Sequence, residues 1–178
     1  MKISKILWVA VSIGVMYFYS CKDKENLSKP DNTTKTNTEY LTDSNWLLVS
    51  AKFDPPLVIN LGTVIDTFYN LFEIPMYEDC QRDNRVKFNN NFTMTIDNGA
   101  KRCGAEPQTA NDGIWQFKNN EKTIQISNSE YFNMLGQDTV YFNNVALNDT
   151  VMTGNTEYEY NNPLLGTVKS NITFKFKK

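Results

Sequence analysis

Histidine is absent from the 178 residues. Its absence removes the commonest general base, and with it the usual Ser-His and Cys-His nucleophilic systems. Cysteine is scarce, with 3 residues at Cys21, Cys80 and Cys103. A zinc site built on two thiolates would have to be completed by carboxylates, so no metal site is expected. Glycine numbers 8, and Gly99, Gly104 and Gly113 stand too far apart to form a Gly-rich phosphate loop after a strand. Charge of one sign is lacking as well: 18 Lys and Arg face 20 Asp and Glu without a basic stripe, which argues against nucleic acid as a partner.

Carboxylates are the remaining source of chemistry. Glu157 and Glu159 would project from one strand face about 7 Å apart, within the range of inverting glycosidases. Their alternation with Thr156, Tyr158 and Tyr160 instead reads as the solvated outer face of a strand. Glu78, Asp79 and Asp83 lack the Asp-x-Asp-x-Asp-Gly spacing of a calcium loop. No catalytic residue and no cofactor is assigned, and an enzyme is not expected.

Long apolar runs are also missing, with one exception near the start. Lys2 and Lys5 precede an apolar stretch from Ile6 to Tyr19, which ends at Ser20-Cys21 and the charged Lys22-Asp23-Lys24-Glu25. At about fourteen residues the stretch is shorter than the ~20 needed to span a bilayer, and the three zones together have the grammar of a signal peptide over residues 1–20. The small residue before Cys21 resembles the bacterial lipobox, whose cysteine is acylated, with palmitate among the chains, and becomes the first residue of the mature protein. Phe18 in place of a leucine-like residue resembles the looser form found in lipoproteins of Bacteroidetes-type bacteria. The resemblance implies a lipid anchor at Cys21 in the outer membrane, and the Lys/acidic run behind it resembles a signal for the outer face. A membrane is therefore an expected partner. Residues 22–42 hold almost nothing apolar and read as a flexible tether with a reach of roughly 25 Å.

The remainder, 43–178, is about 135 residues, a normal size for one domain. Period-two alternation dominates it. Phe92, Met94 and Ile96 share one face and Thr93 and Thr95 the other, while Ile172, Phe174 and Phe176 alternate with Thr173, Lys175 and Lys177. Further strands are expected at Trp46–Phe53, Arg85–Phe88, Gly113–Phe117, Thr123–Ile126, Tyr131–Leu135, Thr139–Leu147 and Thr156–Tyr160. The short Asn/Asp/Gly turns between them favour antiparallel hairpins. Closure removes the unpaired edges of such a meander, so the expected fold is all-β, a small antiparallel up-and-down barrel of about eight strands. A two-sheet β-sandwich is the alternative. Ile65, Phe68, Leu71 and Phe72 fall at helical spacing after Thr63-x-x-Asp66, which predicts one short helix, either a core plug or a lid.

Trp46-Leu47-Leu48-Val49, Cys80 before Asn84-Arg85-Val86-Lys87-Phe88, Asn90-Asn91-Phe92-Thr93-Met94, Cys103, and Gly113-Ile114-Trp115-Gln116-Phe117, in that order, resemble the lipocalin-like lipoproteins of Bacteroidetes. The resemblance implies an exported lipocalin-like barrel. The Gly-x-Trp of true lipocalins belongs to the first strand, whereas Gly113-x-Trp115 lies mid-chain, so no lipocalin ligand site is carried over.

With Cys21 given to lipid, Cys80 and Cys103 form the default disulfide of an oxidising compartment, with two free thiols or a metal pair as alternatives. Two functions follow. In the first, the barrel binds a small apolar or amphipathic ligand, with Phe92, Met94 and Trp115 in the pocket and Ile65, Phe68 and Phe72 at the lid; the same aromatics could simply fill the core. In the second, the chain is a surface interaction protein that contacts an envelope protein, a glycan or a host molecule through Tyr158, Tyr160 and the loop 161–166. Asp138-Thr139-Val140 and Asp149-Thr150-Val151 resemble sites at which such bacteria O-glycosylate exported proteins, which makes Thr139 and Thr150 candidates. The protein is expected to be monomeric.

Overall fold

The computed structural model describes residues 35–133 and 136–178. Residues 1–20, expected as a signal segment, Cys21 and most of the expected tether lie outside the described residues. The first described element is a helix, α1 (Asn37–Thr42), started by a capping box in which Thr36 accepts from the Glu39 backbone N–H and Glu39 reaches back to Thr36. Leu41 on this helix is fully buried, and its carbonyl accepts the Trp46 indole N–H at 2.8 Å. The ordered domain therefore starts before the expected boundary at Asp43. The polar composition of 36–42 conceals a Thr-x-x-Glu cap and one anchoring leucine.

Nine strands follow among the described residues: β1 (Asn45–Asn60), β2 (Ile65–Asn70), β3 (Arg85–Phe88), β4 (Thr93–Asp97), β5 (Thr109–Lys118), β6 (Thr123–Ser127), β7 (Thr139–Leu147), β8 (Val151–Asn162) and β9 (Gly166–Lys177). From β3 to β9 each pairs antiparallel with the next, and β1 pairs with both β3 and β9. The result is a closed eight-stranded up-and-down barrel of the lipocalin-like kind, with β2 as a ninth strand outside the ring. Long β1 makes this possible by dividing its length: Asn45–Leu47 meets β3, Leu47–Asp54 meets β9, and its outer half forms a hairpin with β2 from Lys52 to Asn60. No edge strand remains within the barrel itself.

Two expected elements differ. The segment expected as a helix is β2 followed by a 3-10 turn at Leu71–Glu73. Ile65, Thr67 and Tyr69 alternate with Asp66 and Phe68, and pairing with β1 satisfies the backbone without a helix. The capping box does exist, but at Asn70 and Glu73 rather than at Thr63 and Asp66. Of the expected strand Tyr131–Leu135, residues 131–133 form a turn, and Leu135 lies outside the described residues. The buried Asp112 carboxylate draws this turn inward by accepting from the Glu130 N–H (2.7 Å), the Tyr131 N–H (3.1 Å) and the Ser129 hydroxyl. Those N–H groups are thereby taken from any ladder.

Asp112 can face inward because β5 carries an irregularity at Gly113, whose φ is +81°. A Cβ there would meet the Ser127 carbonyl oxygen at 2.5 Å. This shift lets Asp112 and Trp115, three residues apart, both point into the barrel. The interior is filled by alternating residues of the ring. Phe142 meets Phe174, Phe132 and Phe176 with centroids at 4.9, 5.2 and 6.1 Å, and Met94, Ile124, Met152 and Ile172 pack into the same core. α1 closes one end: Thr38 bonds Glu121 at the β5–β6 turn, and Lys35 bridges Asp43 and Asp149.

Candidate functional site

The end of the barrel opposite α1 is built differently. The β1–β2 hairpin projects beyond the ring, and the chain from Leu71 to Asn84 crosses the opening in irregular backbone with 3-10 turns at Leu71–Glu73 and Asp79–Gln81. A disulfide joins Cys80 to Cys103 across 23 residues of sequence, tying this crossing segment to the loop 98–108. The sulfurs lie near the Glu78 carboxylate, but each is bonded to the other, so no thiolate is offered to a metal. Asp83 fastens the same two segments by accepting from the Ala100 and Lys101 N–H groups at 2.8 and 3.2 Å. Its carboxylate packs over Gly99, where a Cβ would meet it at 2.4 Å.

Those N–H groups, the Ala100 one foremost, hold the Asp83 carboxyl below its ordinary pKa. A carboxyl lowered in the folded state stabilises the fold at all pH values above the unfolded pKa, and the contribution is lost as pH falls through the folded one. Asp83→Asn is therefore expected to flatten the acid limb: the drop in melting temperature between about pH 7 and about pH 3 should be smaller than in wild type. An unchanged drop in thermal scans at the two pH values would show that Asp83 carries no such role. The lowered Glu39 and Asp43 keep part of the slope in either case.

Two cavities open at this end. One, of about 280 Å3, is mainly apolar and is lined by Phe53, Leu57, Leu71, Ile74, Tyr77 and Tyr158, with Met76 and Gln81 at its border. Phe72 supports it from behind: its ring lies 5.3 Å from that of Tyr77, and Arg82 holds Phe72 from the other side, with its guanidinium 5.9 Å from the ring and a 2.9 Å bond to the Phe72 carbonyl. The Tyr77 hydroxyl donates to the Gln81 carbonyl at 3.2 Å. The second cavity, of about 260 Å3, shares Gln81 and is polar, with Asn84, Asn98, Asp112, Glu130 and Tyr131 among its lining. Tyr77 lines the first of them and Tyr131 the second. Burial raises the phenols of Tyr77 and Tyr158 and raises that of Tyr131 well above the ordinary value, so all three stay neutral.

The residues expected to form a pocket are dispersed. Met94 and Trp115 are buried in the barrel core, and the Trp115 indole donates to the Asn89 carbonyl at 3.1 Å. Phe92 is 56% exposed at the β3–β4 turn, with φ of +65°. It meets Trp115 in a shallow furrow on the outer wall and lies remote from the mouth. Of the expected lid, Phe68 is buried, Phe72 is half-buried behind Tyr77, and Ile65 is exposed at the hairpin tip.

Tyr158 and Tyr160 stack in parallel at 5.9 Å on the half-buried face of β8, while Glu157 and Glu159 point outward and Glu157 pairs with Lys169 at 2.6 Å. The Tyr160 hydroxyl donates to the Pro56 carbonyl and accepts from the Val58 N–H, clasping β1. Tyr158 thus lines the cleft, and Tyr160 is engaged with β1. Thr150 is exposed in the β7–β8 turn, whereas the half-buried Thr139 hydroxyl is engaged with Ser127 at 3.0 Å.

Leu57, Ile74, Tyr77, Gln81, Asn84, Asp112 and Tyr131 were not assigned to a site by sequence. Only the proximity of Cys80 could have pointed to the segment that carries several of them. The chain matches no protein-family model, and no curated protein or solved structure matches it significantly. The reading of the site rests on its geometry.

Proposed function

We propose that this chain is a non-enzymatic cell-envelope lipoprotein, anchored by acyl chains on Cys21, whose barrel binds a small apolar or amphipathic molecule at its mouth. The observation that carries the reading is the apolar cleft between β1, β8 and the Leu71–Asn84 crossing. It has aromatic walls and one convergent polar edge, the usual make-up of a ligand site. Its volume of about 280 Å3 lies at the lower edge of ligand pockets, which favours a small ligand. The absence of histidine and the neutral phenols of the mouth support binding over catalysis. The signal-like start and the lipobox-like Ser20-Cys21 support export and lipidation, and the disulfide is compatible with an oxidising envelope.

The neutral fluorescent probe N-phenylnaphthylamine tests the cleft. Wild type is expected to give a saturable signal, and Leu57→Arg, which places a cation in the cleft, is expected to weaken binding by about tenfold or more, ~1.4 kcal/mol. A Leu57→Arg variant that folds and binds as wild type defeats the proposal. For the anchor, labelled palmitate should enter the wild-type chain and not Cys21→Ser; equal labelling defeats that part.

A second reading, an interaction surface, draws on the exposed Leu61, Val64 and Ile65 at the β1–β2 tip and Leu164 and Leu165 at the β8–β9 tip. These side chains are exposed, whereas Tyr158 and Tyr160 are half-buried.

A further inference from the structure

We propose that the outer wall of the barrel carries a second binding site, in which a neutral oligosaccharide lies on the Phe92 ring and against the Gln116 and Gln125 amides. The site is on the flank, away from the mouth, and stands independently of the cleft described above. Side chains facing solvent over β4–β7 form two rows across the sheet. Thr93, Ile114, Ser127 and Thr139 pair strand to strand in one, and Gln116, Gln125 and Tyr141 in the next. None of these residues is charged. The exposed side of β8 and β9 instead carries Glu157, Glu159, Lys169, Lys175 and Lys177, so the uncharged wall is a local feature of this surface. Within it Ile114 and Tyr141 are about half exposed.

Phe92 completes the wall, and at a cost. Its φ of +65° lies in the left-handed region, which a bulky side chain adopts only under strain, and the residue is 56% exposed. Asn89, Asn90 and Asn91 precede it, so the residue type that tolerates this conformation stands beside the position and not at it. Neither backbone preference nor burial accounts for an aromatic here. The ring is nonetheless held in place: it lies 5.5 Å from the Trp115 ring, and the Trp115 N–H donates to the Phe92 carbonyl at 2.9 Å. With Asn91, Ile114, Gln116, Gln125 and Ser127 it lines an open furrow of about 360 Å3.

The polar groups of the furrow are ordered but retain capacity. Gln116 Nε2 donates to Gln125 Oε1 at 3.2 Å, Gln125 Nε2 donates to Ser127 Oγ at 3.3 Å, and Ser127 Oγ and Thr139 Oγ1 bond at 3.0 Å. This chain fixes the amides across three strands. Gln116 Oε1 and Asn91 Nδ2 make no bond among the described residues, which leaves an acceptor and a donor for a ligand.

These features select the ligand. A charged molecule, nucleic acid included, would find no counter-charge on the wall. A wholly apolar one would take the Gln116 and Gln125 amides out of water unpaired. A sugar answers both, because the C–H face of its ring packs on an aromatic side chain while its hydroxyls donate to and accept from amides. From Phe92, on the β4 side of β5, to Tyr141 on β7 is three strand steps, about 14 Å at ~4.8 Å each, the reach of a short oligosaccharide. A stable protein partner would need roughly 800 Å2 on this side, more than two rows of side chains offer.

Magnetic-resonance titration of the exported Cys21→Ser chain, which lacks the acylation site, tests the proposal with maltotriose, cellotriose, triacetylchitotriose and the acidic trigalacturonate. At least one of the neutral sugars is expected to move the Gln116 and Gln125 side-chain amide signals to saturation, and trigalacturonate to leave them in place. Phe92→Asn puts a residue suited to positive φ at the turn; it should keep or raise the melting temperature while weakening that binding by about tenfold or more. Unchanged sugar affinity in Phe92→Asn overturns the proposal, as does a preference for trigalacturonate or the absence of a saturable shift with all four sugars. Sedimentation of wild type as a dimer that Phe92→Asn dissociates assigns the wall to a second copy and overturns it too. Each of these results leaves the mouth cleft, read with its own probe, unaffected.

Discussion

Replacing Cys80 and Cys103 together by serine is expected to lower stability by ~3 kcal/mol, since the bridge closes a loop of 23 residues in the unfolded chain. The effect should not stop at stability. Cys80 lies in the 3-10 turn Asp79–Gln81, and Cys103 in the loop that also holds Glu106 and Pro107, so the bridge fixes two walls of the mouth relative to each other. Probe affinity in the double serine variant should therefore fall by more than the unfolded fraction accounts for, and reduction of wild type by dithiothreitol should reproduce it. Urea melts give the first number and titration under native conditions the second. Wild-type affinity in a variant that has lost ~3 kcal/mol would mean that the walls are held by Asp83 and packing alone.

Phe142→Ala is expected to cost about 3–5 kcal/mol, a large share of the ~5–15 kcal/mol that holds an ordinary domain together. The ring is 1% exposed and touches Phe132, Phe174 and Phe176 across the barrel. Gly154 on the neighbouring strand packs close to its Cβ, and the surrounding ladder of β6, β7 and β8 restricts how far the barrel can collapse into the space left behind. The contrasting substitution is Phe92→Ala at the exposed β3–β4 turn, where about 1 kcal/mol or less is expected. Equilibrium unfolding in urea measures both. Similar costs at the two positions would contradict the packed interior.

The ring of the barrel was legible because its strands expose one face and bury the other. Arg85–Phe88 and Thr139–Leu147 match the observed strands at both ends, and in β9 Ile172, Phe174 and Phe176 are buried while Thr173, Lys175 and Lys177 face solvent. The Asn- and Gly-containing turns could be read for the same reason: Asn119 and Asn120 take the positive φ that their residue type tolerates. The Ile65–Phe72 segment misled because four apolar residues at helical spacing also fit a short strand followed by a 3-10 turn. Long-range pairing with β1, invisible locally, decided between them. Asp112 was hidden for another reason. Asn111-Asp112-Gly113 has the letters of a turn, and only the irregularity at Gly113 turns the carboxylate inward to fold residues 129–131 around it.

The mouth was hardly legible at all. Its apolar cleft gathers Phe53 and Leu57 from β1, Leu71, Ile74 and Tyr77 from the crossing segment, and Tyr158 from β8, residues separated by up to about a hundred positions and without a shared spacing. Aromatic residues of the middle strands drew attention to the barrel axis, where Met94 and Trp115 instead complete the core. A ligand site at the end of a filled barrel depends on what irregular backbone leaves open, and periodicity carries no record of that.

The central claim is that ligand enters the mouth and not the barrel interior, and methionine methyl resonances report on both. Met76 borders the cleft, while Met94 and Met152 are buried in the core. In a titration of methyl-labelled Cys21→Ser chain with N-phenylnaphthylamine, the Met76 signal should move progressively and saturate while those of Met94 and Met152 stay in place. Movement of Met94 and Met152 with Met76 unchanged, or no movement of any of the three, would contradict it.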